Sequence, residues 1–241
     1  MSIVGYRGVI LVIFLSLSYN SWAICIDGRR VPAELIGMGR AREFKVNTSN
    51  ELKLEEFERY LKGNVTSESK DLEEPDSDPI TVITYKASQF NQVIVDDTSL
   101  DVEGADIGVN VKWKLNDLIK YENRKAIFRC LLGVRFKEKV FIFKGEIQGV
   151  IVKPRGKNIG FLPYFQPIGA TKTLAEELPD SLNARYFAVK DLLENKPFKT
   201  CDLITSWSEE FQPSESKVPC REKSQTSQPS PILPTVPIIS E

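Results

Sequence analysis

Two periods of apolar residues alternate along the chain. From Glu43 to Thr48 (EFKVNT) apolar side chains fall at every second place, which predicts a short strand ended by Thr48-Ser49-Asn50. In Glu51–Leu61 (ELKLEEFERYL) the apolar Leu54, Phe57 and Leu61 recur three and four apart among charges, which predicts an amphipathic helix. Asn50 stands at its N-cap position and Gly63 just past its end. Asp71–Asp78 reads as an acidic loop holding Pro75. Thr81–Phe90 reads as a helix, Val93–Val95 as a short buried strand ending in Asp96-Asp97, and Leu115–Tyr121 as a further helix. Ala126–Phe136 and Val140–Lys153 are rich in Val, Ile and Phe and are joined by Lys137-Glu138-Lys139, which predicts a hairpin. Tyr186–Leu193 closes the pattern as a helix. Strands alternating with helices, plus a long hairpin, predict an α/β fold with a mixed central sheet flanked by helices.

The ends stand apart from this pattern. Arg7 precedes an apolar run from Val9 to Leu17, and small residues Ser21 and Ala23 follow, the layout of a signal peptide over residues 1–23. That run is too short to span a bilayer, so no stable membrane insertion is expected after cleavage. Residues 24–42 form an N-terminal extension. Residues 201–241 read as a Pro/Ser-rich disordered tail, densest in proline from Pro213 onward, with too little apolar content to offset its ordering entropy. Cys201 and Cys220 flank the start of that stretch; a disulfide and two free thiols both remain open.

Composition narrows the chemistry. Among 241 residues, 32 Lys and Arg against 33 Asp and Glu leave a net charge of −1, without the basic excess of a nucleic-acid binder. There is no histidine, which excludes the Ser-His-Asp triad, the Cys-His dyad and His-ligated zinc. Three features remain. Thr48–Lys53 is a strand-turn-helix whose helix N-terminus, with Lys53 in the first turn, suits an anion. Asp96-Asp97 beside an apolar strand suits Mg2+ or proton transfer from water. Lys153-Pro-Arg-Gly-Lys157, followed by Gly160-Phe161, suits phosphate charge and base stacking. Each has an ordinary structural counterpart: a capped helix, a turn, a solvated connection.

Taken in order, these segments resemble the inosine triphosphate pyrophosphatase family. That family opens on a strand ending Thr-Gly-Asn with a Lys on the next helix, and here stand Thr48-Ser49-Asn50 and Lys53. Its metal-binding Glu-Pro, with a helix Lys about eight residues on, is matched by Asp78-Pro79 and Lys86. Its acidic strand end is matched by Val95-Asp96-Asp97-Thr98-Ser99-Leu100, and its Gly-x-x-x-Lys-Trp by Gly108–Trp113. Phe143 through Gly156, Phe165–Gly169, Thr173–Glu176 and Arg185 complete the likeness, which runs from residue 43 to 195. The resemblance implies a two-lobed pyrophosphatase-like domain over residues 43–200, with a nucleotide site in the cleft between lobes. It implies hydrolysis of (deoxy)ITP- or XTP-like nucleotides, Mg2+ as cofactor and a homodimer. It assigns Asp97 and Lys53 to catalysis and Asp78 and Asp97 to the metal. Thr48, Ser49, Asn50, Lys53, Thr98, Lys112, Phe161 and Arg185 would bind substrate.

The chain also departs from that family. Gly160-Phe161-Leu162-Pro163 lacks the family's base-reading Asp, and Pro179–Arg185 (PDSLNAR) lacks its Lys and His. Lost polar contacts mean lost discrimination between near-isosteres. The departures leave a second expectation open: a catalytically impaired relative that binds nucleotide or serves as a secreted interaction protein. The leader predicts an exported protein, periplasmic or secreted; the alternatives are an uncleaved anchor or, where the segment is no signal, a cytoplasmic protein. Cleavage after Ala23 is expected, so N-terminal sequencing of natively expressed protein should begin at Ile24, and a chain starting at Met1 or Ser2 would overturn export.

Overall fold

A computed structural model describes residues 25–27 and 43–213. The predicted signal peptide, most of the 24–42 extension and the chain beyond Pro213 lie outside the described residues. The strands are β1 (Cys25–Asp27), β2 (Glu43–Asn47), β3 (Asn64–Ser67), β4 (Ile94–Val102), β5 (Ala105–Gly108), β6 (Lys125–Phe136), β7 (Lys139–Ile151), β8 (Phe165–Pro167) and β9 (Lys199–Asp202). The helices are α1 (Glu51–Leu61), α2 (Pro79–Ser88) and α3 (Ala184–Leu193). The strands form one mixed sheet in the order β1-β9-β7-β6-β4-β2-β3, with β5 paired to β4 and β8 to β7. β2 runs parallel to β3 and β4, and the other pairings are antiparallel.

The local sequence explains most element ends. Asn50 caps α1, its Oδ1 accepting from the Lys53 amide at 3.3 Å. Lys62, in the left-handed region at φ 51°, ends that helix one residue before the predicted glycine. α2 starts two residues earlier than predicted because Asp78 caps it and Pro79 takes a first-turn position, where the missing N–H is no loss. Leu115–Tyr121 is a 3-10 helix rather than an α-helix. The predicted hairpin is present as β6 and β7, paired over their length from Lys125↔Val150 to Phe136↔Lys139.

Two expectations are corrected. The strand expected to end at Asp96-Asp97 continues to Val102, because β6 pairs with β4 from Ile94↔Val134 to Val102↔Ala126 and satisfies its backbone. The acidic pair therefore sits inside a central strand. The expected tail also begins too early: β9 pairs with β7 and β1, and residues up to Pro213 belong to the fold. Cys201 on β9 is buried and disulfide-bonded, and Cys25 stands opposite it in the β1–β9 register. Cys220 lies outside the described residues.

Helices cover both faces. α1 and α3 lie over the larger core, which includes Phe57, Phe128, Leu132, Phe143, Phe165 and Ala188. α2 lies over a smaller core on the other side, with Ile83, Ala87, Val95, Leu131 and Ile142. The first parallel strand, β2, is flanked by β3 on one side and β4 on the other. β2 leads through α1 to β3 on one side, and β3 leads back through α2 to β4 on the other, so the connections part in opposite directions and the carboxyl end of β2 beside β4 lies at a topological switch point, where open α/β sheets bind ligands. Among the described residues no helix is long and apolar enough to cross a membrane.

The hairpin carries one glycine under α3 and another under α2. At Gly145 a Cβ would lie 1.8 Å from the Ala184 carbonyl of α3. At Gly133 it would lie 2.9 Å from the Ala87 Cβ of α2. Backbone cannot yield as a flexible side chain can, so Gly145→Ala is expected to cost at least about 3 kcal/mol, the upper end of ordinary overpacking. Urea unfolding monitored by circular dichroism measures this; a cost below about 1 kcal/mol would contradict the close approach of α3.

Candidate active site

β4 places Asp96 and Asp97 on opposite faces of the sheet, because successive strand residues alternate. Each carboxylate is buried, and each meets cations from the elements on its own side.

On the α1–α3 face, Asp96 Oδ2 pairs with Arg185 Nη2 at 2.8 Å and Lys53 Nζ at 3.0 Å. Arg185 also pairs with Glu56 of α1. Asn183 ties the same corner together: it caps α3 through the Arg185 amide at 2.9 Å and donates to Glu56 Oε1 at 2.7 Å. The helical spacing of Lys53 and Glu56, three apart, puts both on one face of α1. Burial works to raise the Asp96 carboxyl, but Lys53, Arg185 and Lys86 outweigh it and hold it well below the usual carboxylate range.

On the α2 face, Lys86 is the hub. Its ammonium donates to Glu74 Oε1 at 2.7 Å, to the Asp96 carbonyl at 3.0 Å and to Asp97 Oδ1 at 3.3 Å. Burial opposes the Lys86 charge, yet Asp97 and Glu74 hold its pKa above the ordinary value. Asp97 moves the other way from Asp96. Burial raises its carboxyl, Lys86 opposes this, and the like charges of Glu74 and Asp96 add to the rise. Asp97 Oδ2 is buried with no hydrogen-bond partner, and so is Thr98 Oγ1. An unpartnered buried carboxylate oxygen is costly unless a cation or a water completes it.

The β2–α1 turn opens beside this pair, since Asn47 lies across from Val95 in the β2–β4 register. The Asn50 amide donates to Thr48 Oγ1 at 3.2 Å, and Ser49 and Asn50 are exposed. The remaining N–H groups of the first α1 turn point along the helix axis with no intrahelical acceptor. Carboxylates, an ammonium and a helix N-terminus at a switch point make a site for a polyanion with its counter-cation.

Residues 45–195 match the Ham1 family. The chain belongs to that family. It is 32% identical over 137 residues to a dITP/XTP pyrophosphatase of Pyrobaculum aerophilum, covering 48% of this chain and 73% of that protein. It is 32% identical over 174 residues to an inosine triphosphate pyrophosphatase of Yarrowia lipolytica, covering 63% of this chain and 92% of that protein. The fold is shared with a Ham1 protein of Staphylococcus aureus (TM-score 0.52, 22% identity, 63% of this chain and 96% of that one). It is shared too with a HAM1 protein of Coxiella burnetii (TM-score 0.54, 21% identity, with the same coverage of 63% and 96%).

In this Ham1-family chain the structure brings Thr48, Ser49, Asn50, Lys53, Asp96, Asp97 and Thr98 to one end of the sheet. Three expected roles are corrected. Asp78 is occupied as the cap of α2: Oδ1 accepts from the Ile80 and Thr81 amides at 2.9 and 3.2 Å, and Oδ2 from the Thr81 hydroxyl at 2.6 Å. Glu74, four residues earlier, is the carboxylate that meets Lys86 beside Asp97. Phe161 is buried and packs edge-on against Phe128 and Phe165, so it offers no face to a base. Arg185 is 6% exposed, and its bonds to Asp96 and Glu56 leave it a framework cation rather than a base contact. Lys112 lies at the end of the 3-10 helix Val109–Lys112, its ammonium 5.0 Å from the centre of the Trp113 ring. Arg155, in the basic glycine loop, is bonded to Glu176, Gln166 and the Thr171 carbonyl, which makes that loop structural.

Glu74 and Glu56 escaped the sequence reading. A signal for Glu74 existed: Glu74-Pro75 is itself a Glu-Pro pair, which the spacing to Lys86 hid. Removing one member of a buried ion pair strands the others. Asp96→Asn is therefore expected to lower unfolding free energy by about 3–5 kcal/mol. Denaturant unfolding at neutral pH checks this; a loss below about 1 kcal/mol would show that Arg185 and Lys53 find other partners.

Proposed function

We propose that this chain is a nucleoside triphosphate pyrophosphatase, hydrolysing (deoxy)ITP- and XTP-like purine nucleotides to the monophosphate and pyrophosphate. One observation carries the reading: Asp97, with one oxygen on Lys86 and the other buried without a partner, beside Glu74 and the β2–α1 turn. The names of the relatives above point to the same chemistry.

The residues fit Mg2+. Among the described residues no three His, Cys, Asp or Glu side chains cluster as a metal cage. Mg2+ with a nucleotide needs no such cage, since one or two carboxylates plus phosphate oxygens suffice. Glu74 and Asp97 would hold it, and when bound it supplies charge neutralisation on the phosphate chain. The protein's own groups do the rest. The first-turn amides of α1 and Lys53 bind the phosphates and place the α-phosphorus in line with a water held by Asp97. Asp97 accepts the proton of that water as its oxygen bonds to the α-phosphorus and the bond to the bridging oxygen breaks. Burial and the neighbouring carboxylates raise the Asp97 carboxyl, which favours its taking up a proton. Lys86 stays charged throughout and fixes the direction of both carboxylates.

Export belongs to the same proposal. A leader-like segment precedes the domain, and the disulfide at Cys201 fits an oxidising compartment. The homodimer implied by the resemblance is kept as part of the reading.

The test is a hydrolysis panel over ITP, XTP, dITP, GTP and ATP with pyrophosphate release as readout. Activity should require a divalent cation, and Asp97→Asn should lose on the order of 10²–10⁴ in rate. With Phe161 and Arg185 turned to the interior, kcat/KM for ITP over GTP or ATP should stay below about 200-fold, the reach of a pocket without directed polar contacts. Unchanged rates in Asp97→Asn would overturn the mechanism. Nucleotide binding without turnover in the wild type would move the chain to the impaired-relative reading.

A further inference from the structure

The family match ends at residue 195, yet the described residues continue to Pro213. After β9 the chain crosses the end of α2. The Ile204 amide donates to Ser88 Oγ at 2.9 Å, and Gln89 Nε2 donates to the Ile204 carbonyl at 3.3 Å. It then turns back as a strap, with Trp207 Nε1 donating to the Glu210 carbonyl at 2.9 Å. The end of this strap lands on the acidic loop. Pro75 and Phe211 form an antiparallel bridge. The Gln212 amide donates to the Glu74 carbonyl at 2.8 Å, and the Asp76 amide to the Glu210 carbonyl at 3.0 Å. Gln212 Nε2, buried, donates to the Pro75 carbonyl at 3.1 Å. The Phe211 ring packs edge-on against Tyr85 of α2, 6.1 Å between centres.

These bonds have an unusual focus. All three main-chain partners are consecutive, Glu74, Pro75 and Asp76, in a loop with no helix of its own and only a single bridge. The middle of the strap contributes little else, since Ser208, Glu209 and Glu210 are exposed. Glu74 is also the residue whose side chain meets Lys86 beside Asp97. A carboxylate on a free loop must be ordered each time it takes a ligand, whereas a pinned one has already met that cost.

We propose that Phe211 and Gln212 are positioning residues for Glu74: the strap, built from residues beyond the family segment, fixes the Glu74 loop and so sets the affinity of the site for its divalent cation. This rests on the reading of Glu74 and Asp97 as the cation-holding pair. The contacts of the strap fall on the Glu74–Asp76 loop and on Tyr85, Ser88 and Gln89 at the end of α2, so of the two cation-holding carboxylates it is Glu74 whose main chain it bonds.

Mn2+ binding to the full chain with the phosphate position filled by saturating pyrophosphate, corrected for Mn2+ bound by free pyrophosphate, tests it by titration calorimetry, with nucleotide KM and kcat measured at saturating Mn2+ alongside. In Phe211→Ala/Gln212→Ala the Kd for Mn2+ should rise on the order of 10-fold, as for other supports of metal ligands. Nucleotide KM and kcat at saturating Mn2+ should stay within about threefold, the pattern of a lost metal contact rather than a lost transition-state contact. An unchanged Kd in the folded double variant, even with a lowered Tm, would overturn the proposal and leave the strap as fold stabilisation alone. If the double variant does not fold, Gln212→Ala, which removes a single side-chain bond, carries the same test: a Kd raised by more than about twofold supports the role and an unchanged one overturns it. Glu74→Gln separates the two readings. Wild-type affinity in Glu74→Gln, or no Mn2+ binding by the wild type, would overturn the cation pair, and the strap's role with it.

Discussion

Two adjacent carboxylates buried in one strand set the terms for everything around them. Asp96 and Asp97 are neighbours in β4, and alternation sends them to opposite faces. Neither charge is tolerable in the interior alone. The chain answers with a separate cation cluster on each side: Lys53 and Arg185 on one face, Lys86 on the other. The two carboxyls are pushed apart in consequence, Asp96 held ionised and low, Asp97 raised. Asp96 is engaged by its cations, and Asp97 keeps one oxygen unpartnered. Such a split between neighbouring acids is a physical basis for dividing structural from chemical work.

The placement of the helices follows from the same constraint. α1 and α3 supply Lys53, Glu56 and Arg185, so they must lie together over the Asp96 face. Gly145 lets α3 come down onto β7, and Gly133 lets α2 come down onto β6. The burial of Phe161 and Arg185 belongs to this architecture too. Arg185 serves Asp96, and Phe161 completes an aromatic cluster with Phe128 and Phe165. What looked in the sequence like a base-binding pair is the floor and frame of the domain. The chain that follows the family segment extends the sheet with β9 and then reaches back to the loop of Glu74, joining the late sequence to the early site.

Much of this was legible in the residues alone. The alternation of Glu43–Asn47, the three-and-four spacing of Leu54, Phe57 and Leu61, and the Val-, Ile- and Phe-rich hairpin each follow from local periods. A helix or a hairpin is specified by neighbours within a few residues, so its signal lies in the sequence that forms it. The order of the motifs likewise identified the family and placed Thr48–Lys53 and Asp96-Asp97 at one site. The strands that escaped are short: β1, β3, β8 and β9 exist only through a partner well separated in the chain, and β5 is a four-residue return onto β4 with little apolar content of its own.

The site divides along the same line. Sequence by itself determined which residues can carry charge, where α1 begins, and that two acids stand side by side in an apolar strand. Only the tertiary structure decided which acid is neutralised and which is left open. It alone showed Glu74, rather than Asp78, meeting Lys86, and the strap of residues 206–213 closing on the Glu74 loop. The reason is physical. Asp78 is claimed locally by the amides of its own helix, while the partner of Glu74 lies twelve residues away and the strap's Gln212 binds a carbonyl 137 residues away. Electrostatic pairing acts through space, and the chain order carries no record of it.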